Sequence, residues 1–234
     1  MCVYIDSFKL IDNAYRMTRF GFSSDVALVA SQNGINAYEA INASNLDYER
    51  NNIPLPSVGV SGYCLTKDPH YLEASGGDIW EKRGFNSTWI NARKSADYQL
   101  EHAIEEMSRS LGGVSGKIIV IAGLTYKENV DDTRESHGVH LCNRFLELGA
   151  KVRSWEPNLS KIGIQDVENF HDESCLNGAD GVIFTVPHKE FIEWKDNPVG
   201  VKEMRYGLIF DGWGIIEKEQ LPDKISLIGT GKGI

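Results

Sequence analysis

KIIVIAG, residues 117–123, is a short, continuous run of apolar residues that ends in glycine. Such a run belongs to a strand covered on both faces, the usual situation in a parallel sheet. Downstream, the pattern predicts a helix over 136–148, a strand at Lys151 to Trp155, and two more buried runs, GVIFT (181–185) and YGLIFDGW (206–213). Strands alternating with helices define a doubly wound, Rossmann-like parallel α/β domain. Upstream, Gly112 and Gly113 end a predicted helix over 87–111. Its stripe is Trp89, Ala96, Leu100, Ala103, Met107 and Leu111, with Glu101, Glu105 and Glu106 elsewhere. Residues 5–32 lack proline and repeat Leu10, Ala14, Met17, Gly21, Ser24 and Leu28 at helical spacing. A short helix at 37–43 and a loop over 45–66, rich in Asn, Pro, Gly and Ser, follow. The division is therefore an all-helical domain over 1–112 and an α/β domain over 113–234, with no internal repeat or low-complexity segment.

The 234 residues suffice for one or two domains with an ordinary core, since 41% are hydrophobic. With 24 Lys plus Arg against 33 Asp plus Glu, the net charge of -9 repels polyanions and argues against nucleic-acid or anionic-membrane binding. The opening stretch is broken by Asp6, Lys9 and Asp12 before any signal-like apolar run, and no stretch approaches the ~20 apolar residues of a membrane span. Cys2, Cys64, Cys142 and Cys175 form no CxxC pair, so neither a metal site nor a disulfide framework is expected. The chain reads as cytoplasmic.

Three segments could carry chemistry. In SGYCLTKDP (61–69), Cys64 leaves a glycine-containing loop beside Lys67 and Asp68. A thiol becomes a nucleophilic thiolate near a cation or a helix N-terminus, and both are at hand, although most free cysteines are simply small buried hydrophobes. Lys9 and Asn13 lie one helical turn apart and could serve one developing oxyanion, or be ordinary surface residues. GLTYKENVDDTRES (123–136) follows the decisive strand at the sheet edge where open α/β folds bind ligands. Its Lys127 and Arg134 could meet an anion there, or pair internally with Glu128, Asp131, Asp132 and Glu135. No GxGxxG stands in a strand-turn-helix context, and neither GVSGYC nor the terminal GTGKGI fits.

Taken in order, KLIDNAYR (9–16), DYERNNIPLPSVGVSGYCLTKDPHYL (47–72), INARKSADY (90–98), GLTYKENVDDTRES and VPHKEF (186–191) resemble the UDP-glucose/GDP-mannose dehydrogenase family, especially its UDP-N-acetylhexosamine branch. The resemblance implies the central and C-terminal part of an enzyme that oxidises the C6 alcohol of a UDP-sugar to a carboxylate with two NAD. It implies Cys64 as nucleophile, Lys9 and Asn13 as oxyanion stabilisers, and Asp68 as the residue that orients water. Lys67 and Arg134 would reach NAD, whose main binding domain would precede this chain. The loop 51–62, with Ser57, Gly59, Ser61 and Gly62, and also Tyr126 and Lys127, would bind the substrate. Arg50 would reach the sugar nucleotide of a neighbouring subunit, and a homodimer would form through the 87–111 helix. Ser61 stands where the family usually has glycine, so a backbone needing positive φ would be strained there. Two other readings fit the same residues: a non-catalytic UDP-sugar-binding and dimerisation module, and a cysteine hydrolase pairing Cys64 with a histidine such as His70.

Overall fold

The computed structural model describes residues 2–161 and 163–232, and the side chains among these from residue 7 onward. Gly233 and Ile234 of GTGKGI, and the side chains of Cys2 and Asp6, lie outside the described residues. The helical part consists of α1 (Cys2–Gln32), α2 (Ala37–Asn45), α3 (Tyr63–Ser75), α4 (Ile79–Arg83) and α5 (Thr88–Leu111). The α/β part runs β1 (Ile118–Ala122), α6 (His137–Glu147), β2 (Lys151–Trp155), β3 (Val167–Phe170), β4 (Gly181–Phe184), α7 (Lys189–Trp194), β5 (Leu208–Asp211) and β6 (Ser226–Gly229).

α1 follows its predicted stripe, with Ala14, Met17, Gly21 and Ser24 buried. The small residues are there for close approach: a Cβ added at Gly21 would lie 2.4 Å from the Cα of Ala92 on α5. α5 begins where the Ser87 hydroxyl accepts from the Ile90 N–H and ends at Gly112 in the left-handed conformation. Its apolar stripe is consumed inside this chain. Ala96 packs with Met17, while Leu100, Ala103, Ile104, Met107 and Leu111 pack on Ile119, Ile121 and Ile183 of the sheet. Tyr98 on the opposite side of α5 stays exposed. Among the described residues, α1 leaves Phe8, Ile11, Tyr15, Phe22 and Val29 exposed, spaced by three, four or seven residues along one side.

All six strands are parallel, in the order β3-β2-β1-β4-β5-β6. Alternate residues of β1 serve two cores. Ile119 and Ile121 face α5 and α6, and Val120 and Ala122 face Trp155, Phe184, Phe191 and Trp194. The chain order reverses between β1 and β4, so the ligand crevice of such a sheet opens beyond their C-terminal ends.

The expected loop over 45–66 ends earlier, because α3 begins at Tyr63 and takes in Thr66. β3 and β6 were not anticipated. Both are edge strands, and VENF and SLIG lack the unbroken burial that marked β1, β4 and β5. Among the described residues no helix is long and apolar enough to cross a membrane.

Candidate functional site

The site lies between the two parts, where α1, the loop before α3, the loop after β1 and the ends of β4 and β5 converge. Gly62 caps α3 at φ 97°, which turns the chain sharply into the helix, and a Cβ there would meet the Tyr126 ring at 3.0 Å. Ser61 is not at positive φ, contrary to the strain expected of it. Its hydroxyl accepts the His137 N–H at 3.1 Å, so the side chain ties the loop to the start of α6. The Ser57 hydroxyl donates to the Gly59 carbonyl at 2.6 Å. The Val60 carbonyl accepts from Arg93 Nη1 at 2.9 Å and also bonds the His137 ring. Burial, then the nearby Arg93 and His140, push the His137 pKa down to about 3, so this ring is neutral at neutral pH.

Cys64 follows directly, exposed in the first turn of α3. It is not the small buried hydrophobe that a free cysteine usually is. Cys142 and Cys175 are, and burial raises both thiols, that of Cys142 to about 12. One turn beyond Cys64, Asp68 is 1% exposed and collects three partners. Asn13 Nδ2 donates at 2.7 Å, Lys67 Nζ lies at 3.2 Å and Lys9 Nζ at 3.7 Å. The hydrogen bond to Asp68 raises the Lys67 pKa, and its ammonium also lies over Tyr63 and Tyr71. Lys9 and Asn13 are thus drawn by a buried carboxylate 55 or more residues away, and neither is an idle surface residue.

In the loop after β1, Arg134 bonds Asp132 through Nε and Nη2, the latter at 2.6 Å, and holds that carboxyl down at about 2. Internal pairing is therefore what Arg134 does in this structure. Lys127 lies over the Tyr126 ring, 5.6 Å from its centroid. The loop is pinned from below by His188 of the VPHKEF segment, which is fully buried. The Asn129 N–H donates to its Nδ1 at 3.0 Å, which leaves Nε2 to carry the proton toward Glu156 at 3.3 Å. Burial opposes ionisation of Glu156, but bonds from His188, the Leu124 N–H and the Asn158 N–H keep its carboxyl below the ordinary value.

Two adjoining hollows result. The outer, about 410 Å³, is bordered by Ser61, Gly62, Cys64, Tyr126, Lys127 and Arg134. The inner, about 180 Å³, reaches Ser57, Gly59, Thr185 and Trp213. Both share Arg16, Ser61, Leu65, Tyr126 and Lys127. Arg50 is exposed and borders neither. His70 lines a separate hollow and no histidine borders the outer one, so the cysteine-hydrolase reading lacks its base. Arg16, Arg93, His137, His188 and Trp213 escaped the sequence reading. Only Arg16 carried a local signal, falling seven residues after Lys9 and three after Asn13 on one helix stripe.

A Rossmann-like parallel sheet, with a crevice at the strand-order reversal, is thus joined to a helical part that offers an exposed thiol and a buried carboxylate held by two cations. Residues 6–94 match the central domain of the UDP-glucose/GDP-mannose dehydrogenase family, and residues 120–218 match its UDP-binding domain. The chain belongs to that family. It is 31% identical over 233 residues to the UDP-N-acetyl-D-mannosamine dehydrogenase of Pyrococcus horikoshii, an alignment covering 96% of this chain and 51% of that protein. To the NDP-N-acetyl-D-galactosaminuronic acid dehydrogenase of Ralstonia nicotianae it is 28% identical over 188 residues, covering 78% of this chain and 42% of that one. The solved structure of the UDP-D-ManNAc dehydrogenase from Pyrococcus horikoshii superposes with a TM-score of 0.80 at 30% identity, over 96% of this chain and 51% of that one. The chain spans about half the length of the curated relatives it matches.

Proposed function

We propose that these residues form the nucleotide-sugar half of a dehydrogenase that oxidises the C6 alcohol of a UDP-linked N-acetylhexosamine to a carboxylate. The observation that carries this reading is the exposed Cys64 thiol at the outer hollow, one turn of α3 from Asp68, which gathers Lys9, Asn13 and Lys67. The Cys64 sulfur would add to the C6 aldehyde left by the first oxidation, and its proton would go to the carbonyl oxygen. The resulting thiohemiacetal becomes a thioester on the second oxidation, and water cleaves it to the carboxylate and the free thiol. Lys9 and Asn13 would hold the oxyanion formed at each addition, and Asp68 keeps both in place while orienting water. Holding the aldehyde covalently also prevents its release.

NAD, bound mainly by a domain outside these residues, would accept the hydride at each oxidation. Arg134, its side chain 76% exposed at the rim of the outer hollow, and Lys67 would border it. A homodimer is also proposed. With the α5 stripe buried, the outer face of α1 is the surface offered to a second copy, and its Phe8, Tyr15, Phe22 and Val29 repeat every seven residues. The free thiols of Cys64, Cys142 and Cys175 suit a reducing, cytoplasmic setting.

The test is NADH production from UDP-N-acetylhexosamines by this chain supplied with the family's NAD-binding domain. Cys64→Ala should abolish formation of the carboxylate and leave at most one NADH per sugar. Unchanged NADH production would remove the catalytic claim and leave a non-catalytic binding module.

A further inference from the structure

We propose that Arg16 on α1 holds the sugar-proximal phosphate of the nucleotide ligand, an assignment that rests on the nucleotide-sugar reading above. Most cations around the cleft are already committed to partners within the chain. Arg134 is bonded to Asp132, Arg93 to Asp97 and the Val60 carbonyl, and Lys67 to Asp68. Arg16 has only a 3.5 Å bond from Nη1 to the Asn13 Oδ1, and among the described residues no carboxylate pairs with it.

The inner hollow makes the sign of its ligand plain. Its cations are Arg16 and Lys127, no Asp or Glu borders it, and its histidine, His137, is neutral at neutral pH. A chamber lined in this way favours an anion, with the buried wall of Val60, Leu65 and Val186 reducing solvent screening.

Both cations border both hollows, and their neighbours separate them. Arg16 lies on α1 one turn beyond Asn13, whose amide bonds Asp68 in the reacting cluster, whereas Lys127 lies over the Tyr126 ring in the loop after β1. A ligand with its sugar C6 at Cys64 and its anionic groups toward the inner hollow must carry the nearer of them past Arg16. The group of a nucleotide sugar lying between sugar and nucleoside is the diphosphate, and its sugar-side phosphate is the nearer to Asn13. A guanidinium offers two parallel donors to such a group, which a lysine ammonium does not.

The test compares UDP with UMP, by calorimetry on the 234-residue chain. UMP lacks the phosphate assigned to Arg16. The wild type should bind UDP at least tenfold more tightly than UMP. Arg16→Gln should erase most of that gap while leaving UMP affinity within about twofold, and Arg16→Lys should restore part of it. Arg16 is exposed, so circular dichroism should show both variants folded. Retention of the full gap in Arg16→Gln, or equal losses for UDP and UMP, would overturn the assignment. A wild type that binds UDP no better than UMP would overturn it too. A wild type that binds neither nucleotide would instead overturn the nucleotide-sugar reading, and this assignment with it.

Discussion

The helical part and the α/β part of this chain bury their apolar residues in different ways. The sheet is covered on both faces, with Phe145, Ile119 and Ile183 in one core and Phe184, Phe191 and Trp155 in the other. The helical part has small cores, Met17 with Val60, Leu65 and Ala96, and Ala27 with Ala30 and Ala37, and it leaves much of α1 apolar and exposed. Both parts also bury polar groups, Asn13, Asp68 and Arg93 among the helices and Glu156, His188 and Asp211 around the sheet. The contrast assigns stability to the sheet and positioning to the helices, with the site where they meet.

Substitutions on the two sides should separate these roles. The largest effect on stability is expected from Phe184→Ala, since this fully buried ring packs edge-on against Trp155 and Phe191. Its loss should cost about 3–5 kcal/mol in urea unfolding. A cost below about 1 kcal/mol would place the principal core elsewhere.

A smaller effect comes from pH, through His137 at the seam between the parts. Its pKa falls from 6.5 to about 3 on folding, so the unfolded chain binds more protons between those values and stability must fall as pH falls. The contribution is fully present above about pH 6.5. Lowering the pH to 5 should remove about 2 kcal/mol through this ring. Replacing it by His137→Gln should flatten the dependence of the urea midpoint over that window, and an unchanged slope would exclude the ring as its source.

Smaller still is Gly62→Ala. A side chain at φ 97° costs about 1–2 kcal/mol, and its Cβ would press on Tyr126. Stability should drop modestly while UDP affinity falls further than that of Phe184→Ala, because Gly62 shapes the loop and Phe184 does not border the hollows. An equal effect on both variants would erase the division of roles.

The parts of this arrangement that are local in sequence were legible there. β1 declared itself because both its faces are buried, and Lys9 with Asn13 because one helical turn separates them. Cys64 and Asp68 stood out by chemistry and by resemblance. What escaped depends on distant partners. Arg93 reaches the Val60 carbonyl across 33 residues, and the His137 N–H donates to the Ser61 hydroxyl across 76. No spacing rule reports such contacts. The stripe on α5 was legible too, but a stripe does not say which surface covers it, and here α1 and the sheet do. Likewise, Ser61 looked awkward only while its backbone angle and its bond to α6 were unknown.

The central claim is that Cys64 faces the place where a nucleotide sugar binds. Site-resolved mass spectrometry of iodoacetamide alkylation, with and without UDP-N-acetylglucosamine, tests it most directly. The exposed Cys64 should be modified at least tenfold faster than the buried Cys142 and Cys175, and the sugar nucleotide should slow Cys64 selectively. Alkylation of Cys64 at the same rate with and without saturating UDP-N-acetylglucosamine would contradict the account.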